Sequence, residues 1–230
     1  MSKWIAIASV GACLALAACS THTTMNADAH WPIIYRASQD CRYNEESLLA
    51  LQYEAFDQQP NGWRALANMQ GCLRTAASLI ATWRDRRAET LPPDQMQVLW
   101  WHEGQVLASA GDYEAAIGRL ETSRTFHNDR PPPPDASPEA AENWRANIAV
   151  RDAWEDATLA FLRRDRAAFD EAYARLLAVP EPPGFADLEA LMMERTGVRM
   201  SWPLNIESTE LMRACWNSLY GVDCRRQTSD

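Results

Sequence analysis

The sequence lacks the short motifs that mark most hydrolases and metalloenzymes. None of its nine glycines lies in a Gly-x-Ser-x-Gly motif, and no Cys-x-x-Cys is present. Of its four histidines only His102 precedes a glutamate, and Val106 stands where a zinc-binding helix would carry its second histidine. We therefore expect no metal, no cofactor and no serine or cysteine nucleophile. The 31 acidic residues leave one catalytic class open, a cell-wall glycosidase that works with a pair of carboxylates.

Positive charge is also scarce. The chain has 22 lysines and arginines against 31 acids, which makes its net charge −9 at pH 7. Phosphate backbones and anionic headgroups repel a protein of this charge, so we expect neither nucleic acid nor a bare membrane surface as its partner. A basic protein partner fits the charge better.

A hydrophobic run long enough to cross a bilayer is missing at the amino terminus. Residues 4–18 are apolar and small, but a membrane span needs about 20 apolar residues. Because the run follows Lys3 and ends in small residues, it predicts a secretory signal peptide over residues 1–18.

The end of this run is Leu16-Ala17-Ala18-Cys19, which resembles the lipobox of bacterial lipoproteins. The resemblance implies that Cys19 is lipidated and becomes the first residue of the mature protein. Since Ser20 follows, it also implies delivery to the outer membrane, with the protein on the periplasmic face. A chance cysteine in an ordinary signal peptide is the alternative. Residues 19–37 are then a lipidated polar tether, and residues 38–230 form one helical domain.

Four cysteines remain in the mature domain: Cys41, Cys72, Cys215 and Cys224. An even number of cysteines in an exported chain predicts two disulfides, for which three pairings are possible. We favour Cys41–Cys72 with Cys215–Cys224, because each pair is close in the sequence.

No segment alternates polar and apolar residues with a period of two, so strands are not expected. Apolar residues recur instead at steps of three and four, which predicts an all-α fold of about seven or eight helices packed as antiparallel hairpins. The clearest stripe predicts a single helix of about 25 residues; its positions are Leu66, Met69, Leu73, Ala76, Ile80 and Trp83. A Pro-rich loop at residues 128–138 interrupts the helices.

Residues 96–124 resemble a tetratricopeptide repeat. Trp100 matches the early aromatic residue of the first helix, and Gly104 matches the small residue where the two helices cross. The turn is Gly111-Asp112-Tyr113, and Ala116 matches the small residue of the second helix. The family's closing proline is absent. A looser copy follows over residues 150–176, so the resemblance implies a degenerate superhelix of α-α hairpins.

The same resemblance implies a partner-binding groove, because such repeats hold a peptide or a helix against their first helices. Carried over from Gly104, the groove positions are Trp101, Gln105 and Ser109. Adjacent residues lie ~100° apart on a helix, so Trp100 and Trp101 cannot face the same core, and one of them should meet a neighbouring helix or a partner. The alternative is that both are buried, one on each side of the helix.

Three functions follow as hypotheses. The first is a non-catalytic, periplasm-facing adaptor that binds another envelope protein during assembly or secretion. The second is an immunity or inhibitor lipoprotein that neutralises a periplasm-acting toxin such as a cell-wall hydrolase. The third is a cell-wall enzyme or its activator, which would require two buried carboxylates that face each other across a cleft.

Overall fold

Helices make up all the regular secondary structure in the part of the chain that the structure describes. The computed structural model describes residues 41–126 and 131–222, and within these ranges it has nine α-helices, one π-helical turn (Glu54–Gln58) and no strand. The α-helices are α1 (Glu45–Leu49), α2 (Trp63–Ala67), α3 (Leu73–Asp85), α4 (Pro93–Ser109), α5 (Tyr113–Arg124), α6 (Pro138–Arg163), α7 (Arg166–Ala178), α8 (Phe185–Thr196) and α9 (Ile206–Ala214). The all-α prediction is confirmed, and α3–α4, α4–α5 and α6–α7 pack as hairpins. The predicted signal peptide, the lipidation site Cys19 and the tether lie outside the described residues.

The helix of about 25 residues predicted over the clearest stripe is wrong. It consists of α2 and α3, which are separated by residues 68–72. Gly71 in this break has φ +79°, a conformation that ends a helix and favours glycine. Met69 is 38% exposed, whereas Leu66 and Ile80 on either side of the break are buried in one cluster. The apolar spacing continues across the break, because α2 and α3 both turn their apolar residues toward the same core.

Helix α4 lies between the two larger hydrophobic clusters of the protein. Its Leu99 and Val106 belong to an amino-terminal cluster with α1, α2 and α3. In this cluster the Phe56 ring stacks on the ring of Trp83. Its Trp101 and Ala108 belong to a second cluster with α5, α6, α7 and α9. Because these two pairs of residues fall on nearly opposite sides of a helix, α4 is covered from both directions.

The turn from α4 to α5 has the close approach that the sequence predicted. A Cβ added to Gly104 would lie 2.6 Å from Leu120 Cδ2 and 3.2 Å from the Ala116 carbonyl oxygen, so only glycine allows the two helices this contact. Gly111 in the turn has φ +78°. Ala116 and Leu120 of α5 are both fully buried.

One of the two predicted disulfides is confirmed. Cys41 is bonded to Cys72, and the bond ties the start of the described chain to the beginning of α3. Cys215 is disulfide-bonded as well. Its pairing with Cys224 stays a prediction, because Cys224 lies outside the described residues.

The Pro-rich loop leads directly into α6. Ser137 caps α6, since its hydroxyl oxygen accepts the Ala140 N–H at 3.1 Å, and Pro138 is already the first residue of the helix. Residues 127–130 of the loop region are outside the described ranges.

Candidate partner-binding face

The three predicted groove residues do lie along one side of α4. Trp101, Gln105 and Ser109 follow one another at intervals of four residues, which turns each side chain only ~40° from the last. Trp101 faces α6, whereas Gln105 and Ser109 face the residues after α9. We call this stripe the inner face of α4, and we call residues 215–222 the C-terminal segment.

Trp101 forms the buried end of the inner face. It is 3% exposed, and its ring centroid lies 4.8 Å from that of Trp154 on α6. The Trp154 indole N–H donates to Ser208 Oγ at 3.1 Å. The Trp101 indole N–H, by contrast, has no hydrogen-bond partner among the described residues. Trp101 is therefore a core residue with an unsatisfied donor, and its ring does not reach the surface.

Trp100 points in a different direction, as the helical geometry required. It is half-buried, and the Arg84 guanidinium lies 3.3 Å from its ring centroid, with that of Arg119 at 5.4 Å. These are cation–π contacts to α3 and α5. The tryptophan pair thus packs against different neighbours on different sides of α4.

Gln105 and Ser109 meet the C-terminal segment. Gln105 Nε2 donates to the Tyr220 hydroxyl oxygen at 3.2 Å. Ser109 donates to the Gln105 carbonyl at 2.9 Å, and a Cβ added to Gly221 would lie 3.5 Å from the Ser109 Oγ. The C-terminal segment therefore covers the part of the inner face that Gln105 and Ser109 form.

Side chains from two other helices hold the main chain of the C-terminal segment. The Tyr113 hydroxyl oxygen accepts the Tyr220 N–H at 3.0 Å. Arg164 donates to the Ser218 carbonyl at 2.7 Å and also to the Trp216 carbonyl. These contacts grip the backbone, which every peptide possesses.

Arg164 adopts an unusual conformation for this task. It is the last residue before the α6–α7 turn and has φ +58°, in the left-handed region that costs a non-glycine residue on the order of 1 kcal/mol. Asn205, before α9, is the other described non-glycine residue with positive φ. The conformation of Arg164 places its guanidinium against the C-terminal segment.

The segment also inserts an aromatic side chain into the second cluster. The Trp216 ring packs edge-on against Phe161 at 5.4 Å and against Phe169 at 5.1 Å between centroids. The Arg166 guanidinium lies 5.2 Å from the same ring. Trp216 is thus the apolar anchor of the segment.

The other sides of α4 take part in two buried ionic groups that the sequence did not predict. In the first, the wholly buried Asp57 accepts the Trp63 indole N–H at 2.9 Å and lies 2.8 Å from His102 Nδ1. Burial alone raises the pKa of a carboxyl group. The charge of His102 and the hydrogen bonds from His102 and Trp63 outweigh it and hold the pKa of Asp57 below its ordinary value of 3.8.

In the second group, Glu103 is paired with two arginines. It is 3% exposed and is bonded to the buried Arg84 of α3, and it accepts from Arg119 Nε of α5 at 2.7 Å. The sequence places Arg84 near a helix end. However, Arg84 continues the four-residue series of Ala76 and Ile80, and this spacing could have indicated burial.

Three buried carboxylates of the described residues lie beside basic side chains. Asp57 is matched by His102, and Glu103 by its two arginines, while Glu155 has Arg124 and Arg151 at 3.8 Å. A general acid needs a carboxyl group whose pKa is raised, and that of Asp57 is lowered.

No protein family, curated protein or solved structure matches this chain. Each helix of residues 41–126 and 131–222 is too short or too polar to span a bilayer. The same residues contain no group of three or more histidine, cysteine or acidic side chains that could hold a metal ion.

Proposed function

We propose that this chain is a lipid-anchored, non-catalytic binding protein of the periplasmic face of the outer membrane, and that it serves as an adaptor for another envelope protein. The observation that carries the proposal is that the inner face of α4, together with side chains beside it, already binds one segment of polypeptide. Gln105, Tyr113 and Arg164 bind side-chain and main-chain groups of the C-terminal segment. A face built in this way suits a protein partner.

The Cys41–Cys72 disulfide supports the export part of the proposal. Disulfides persist in oxidising compartments such as the bacterial periplasm and are rare in the cytosol. The lipobox-like Leu16-Ala17-Ala18-Cys19 then supplies the anchor. Lipid on Cys19 with more than one acyl chain would hold the domain durably at the membrane.

The anchor is tested with a Cys19→Ser variant in cells fed labelled palmitate. We expect the unaltered protein in the outer-membrane fraction with label, and the variant in the soluble periplasmic fraction without it. Cys13→Ser, which changes another cysteine of the same leader, is the matched control and should fractionate like the unaltered protein. Unlabelled protein that leaves the membrane fraction in all three strains contradicts the lipidation.

Partner binding is tested by chemical crosslinking in intact cells, followed by purification of the tagged full chain. We expect one envelope protein to be enriched repeatedly, and to be lost when Arg164→Ala weakens the grip on peptide backbone. Recovery of no specific protein in repeated experiments would count against the adaptor role.

The net charge of −9 favours a second candidate, an immunity or inhibitor lipoprotein against a basic toxin. Its test is to add the purified chain to cell-wall hydrolases secreted by sibling cells and to compare a deletion strain with its parent. Inhibition together with sensitivity of the deletion strain supports this role. A deletion strain as resistant as its parent argues against it.

A further inference from the structure

We infer that the four consecutive prolines between α5 and α6, Pro131–Pro134, form a rigid ridge that binds in an aromatic groove of a partner protein. We call these residues the proline tract. The tract is a contact surface other than the inner face of α4, and its assignment to a partner rests on the proposed binding function. Its conformation, its exposure, its free carbonyl groups and the acidic residues beside it support this assignment.

The chemistry of proline determines the conformation of the tract. The pyrrolidine ring fixes φ at about −65°, and each proline keeps the residue before it out of the helical region. Consecutive prolines therefore form a polyproline II helix, which has three residues and about 9 Å per turn. In the structure Pro131, Pro132 and Pro133 belong to no helix or strand. Because the rings already restrict the backbone, such a ridge loses little conformational entropy on binding.

Two of the three edges of the ridge face the solvent. With three residues per turn, Pro131 and Pro134 lie on the same edge, while Pro132 and Pro133 lie on one edge each. Pro131, Pro133 and Pro134 are exposed, whereas Pro132 is half-buried. The edge of Pro132 therefore turns toward the protein, and the other two edges are available to a partner.

The backbone of the tract offers acceptors and no donors, because proline has no N–H. The Pro133 carbonyl oxygen accepts the Ala136 N–H at 2.9 Å, and this bond fixes the tract next to Ser137, the cap of α6. The other three carbonyl oxygens of the tract accept no hydrogen bond from the rest of the described chain. The surface that binds the tract must therefore supply hydrogen-bond donors.

A groove of tryptophan and tyrosine side chains meets both requirements. Their rings pack against the proline rings, and their indole N–H and phenol O–H groups donate to the free carbonyl oxygens. A second copy of this chain does not offer such a groove, because no aromatic side chain of the described residues is exposed. The exposed large hydrophobic side chains there are Met69, Leu177, Leu191 and Met193.

Acidic residues follow the proline tract. Asp135, Glu139 and Glu142 are all exposed, and the first basic residue after them is Arg145. A partner with basic side chains at one end of its aromatic groove complements this charge, and the charge then sets the direction in which the ridge enters the groove. The partner is therefore a protein with an aromatic groove and a basic flank.

Photo-crosslinking in intact cells tests this assignment. The full chain carries p-benzoylphenylalanine in place of Ala140, an exposed residue in the first turn of α6 after the tract, or in a second strain in place of the exposed Asn217 of the C-terminal segment. We expect one envelope protein to be crosslinked through position 140. Mass spectrometry of the crosslinked peptide should find tryptophan or tyrosine beside the point of attachment, and a peptide without either contradicts the aromatic groove.

The double variant Pro131→Ala/Pro134→Ala removes both rings from one exposed edge. We expect it to reduce the crosslinked product at least about tenfold. Poly-L-proline added to cells with a permeabilised outer membrane should compete for the groove and reduce the product similarly, whereas a glycine-serine peptide of the same length should not. The matched control is Pro183→Ala, which changes an exposed proline outside the tract and should leave the yield unchanged.

A product that forms equally with the double variant, or that poly-L-proline does not reduce, overturns the inference. Crosslinking through position 217 alone also overturns it, while the proposed binding function then stands. Crosslinking through neither position contradicts both. Circular dichroism of each purified variant checks its fold. Because the competition experiment leaves the tract unaltered, it decides by itself if the double variant does not fold.

Discussion

Asp57 receives hydrogen bonds from three neighbours inside the protein. The donors are Trp63 Nε1 at 2.9 Å, Gln58 Nε2, and His102 Nδ1 at 2.8 Å. An ionised carboxylate is an acceptor only, so His102 must carry its proton on Nδ1. Asp57 therefore joins the π-helical turn, α2 and α4 through one charged group.

Asp57→Asn should lower the free energy of unfolding by about 3 kcal/mol. The amide keeps the shape of the side chain but removes the charge that faces His102, and one of its two ends can only donate. Urea denaturation at pH 7 measures the change. Glu89→Gln removes an exposed charge from the α3–α4 connection and should stay within about 0.5 kcal/mol of the unaltered protein; a loss as large as that of Asp57→Asn would contradict the assignment.

The lowered pKa of Asp57 also predicts a dependence on pH. In the folded protein this pKa lies below the ordinary value of 3.8, so the stabilisation is complete above pH 3.8 and is lost as the pH falls through the folded value. We expect urea midpoints of the unaltered protein to fall more steeply below pH 3.8 than those of Asp57→Asn. Parallel pH profiles would show that another group is responsible.

Helix α4 is packed against other helices on several sides. It contacts α3 on one side, α5 across Gly104, and α6 through Trp101. Because other helices cover it on several sides, α4 has no exposed stripe where a larger side chain could be substituted without a clash. Its hydrophobic positions therefore determine how the two larger clusters are joined.

Gly104→Ala tests the closest of these contacts. The added methyl group would lie 2.6 Å from Leu120 Cδ2, so either the buried Leu120 side chain or the two helices must shift. Although alanine favours a helix by about 1 kcal/mol over glycine, we expect a net loss of about 1–3 kcal/mol in chemical denaturation. Gly118→Ala on α5 is the matched control, because a Cβ added at Gly118 would have no atom within 4 Å. It should stabilise the protein by up to about 1 kcal/mol. A stabilising Gly104→Ala would refute the close crossing.

In the molecule as a whole, two clusters share α4, and covalent links lie near both ends of the described chain. The Cys41–Cys72 disulfide closes a loop with a sequence separation of 31 around α1, the π-helical turn and α2. These three elements have five residues each, too few to be stable in isolation. The disulfide therefore restricts the unfolded chain in the region where the short helices contribute least to the stability of the fold.

The double variant Cys41→Ser/Cys72→Ser should lose about 3–4 kcal/mol of unfolding free energy, the entropy expected for closing a loop of this length. Denaturation is measured without reductant, so that the disulfide of Cys215 stays intact in both proteins. The loss should disappear when the unaltered protein is compared with the variant under reducing conditions. A double variant as stable as the oxidised unaltered protein would contradict this role.

Much of the fold was predictable because its signals are local. The spacing of Tyr113, Ala116 and Leu120 reveals a helix within a few turns, and Gly111 marks its beginning in the same stretch. The pairing of Cys41 with Cys72 was expected because the two cysteines are close in the sequence. The candidate site was predictable only in part. Gln105 and Ser109 share one side of α4 because they are four residues apart, but nothing near them in the sequence indicates that Tyr220 covers them.

The spacing of apolar residues alone was thus enough to establish an all-helical protein and its central hairpins. Three-dimensional packing decided where the long stripe breaks, that Arg84 is buried, and that the inner face of α4 is occupied. The reason is distance along the chain: Arg84 meets Glu103 at a separation of 19 residues and Gln105 meets Tyr220 at 115. Periodicity reports which side of a helix is apolar, but only the assembled core determines which distant residues cover it.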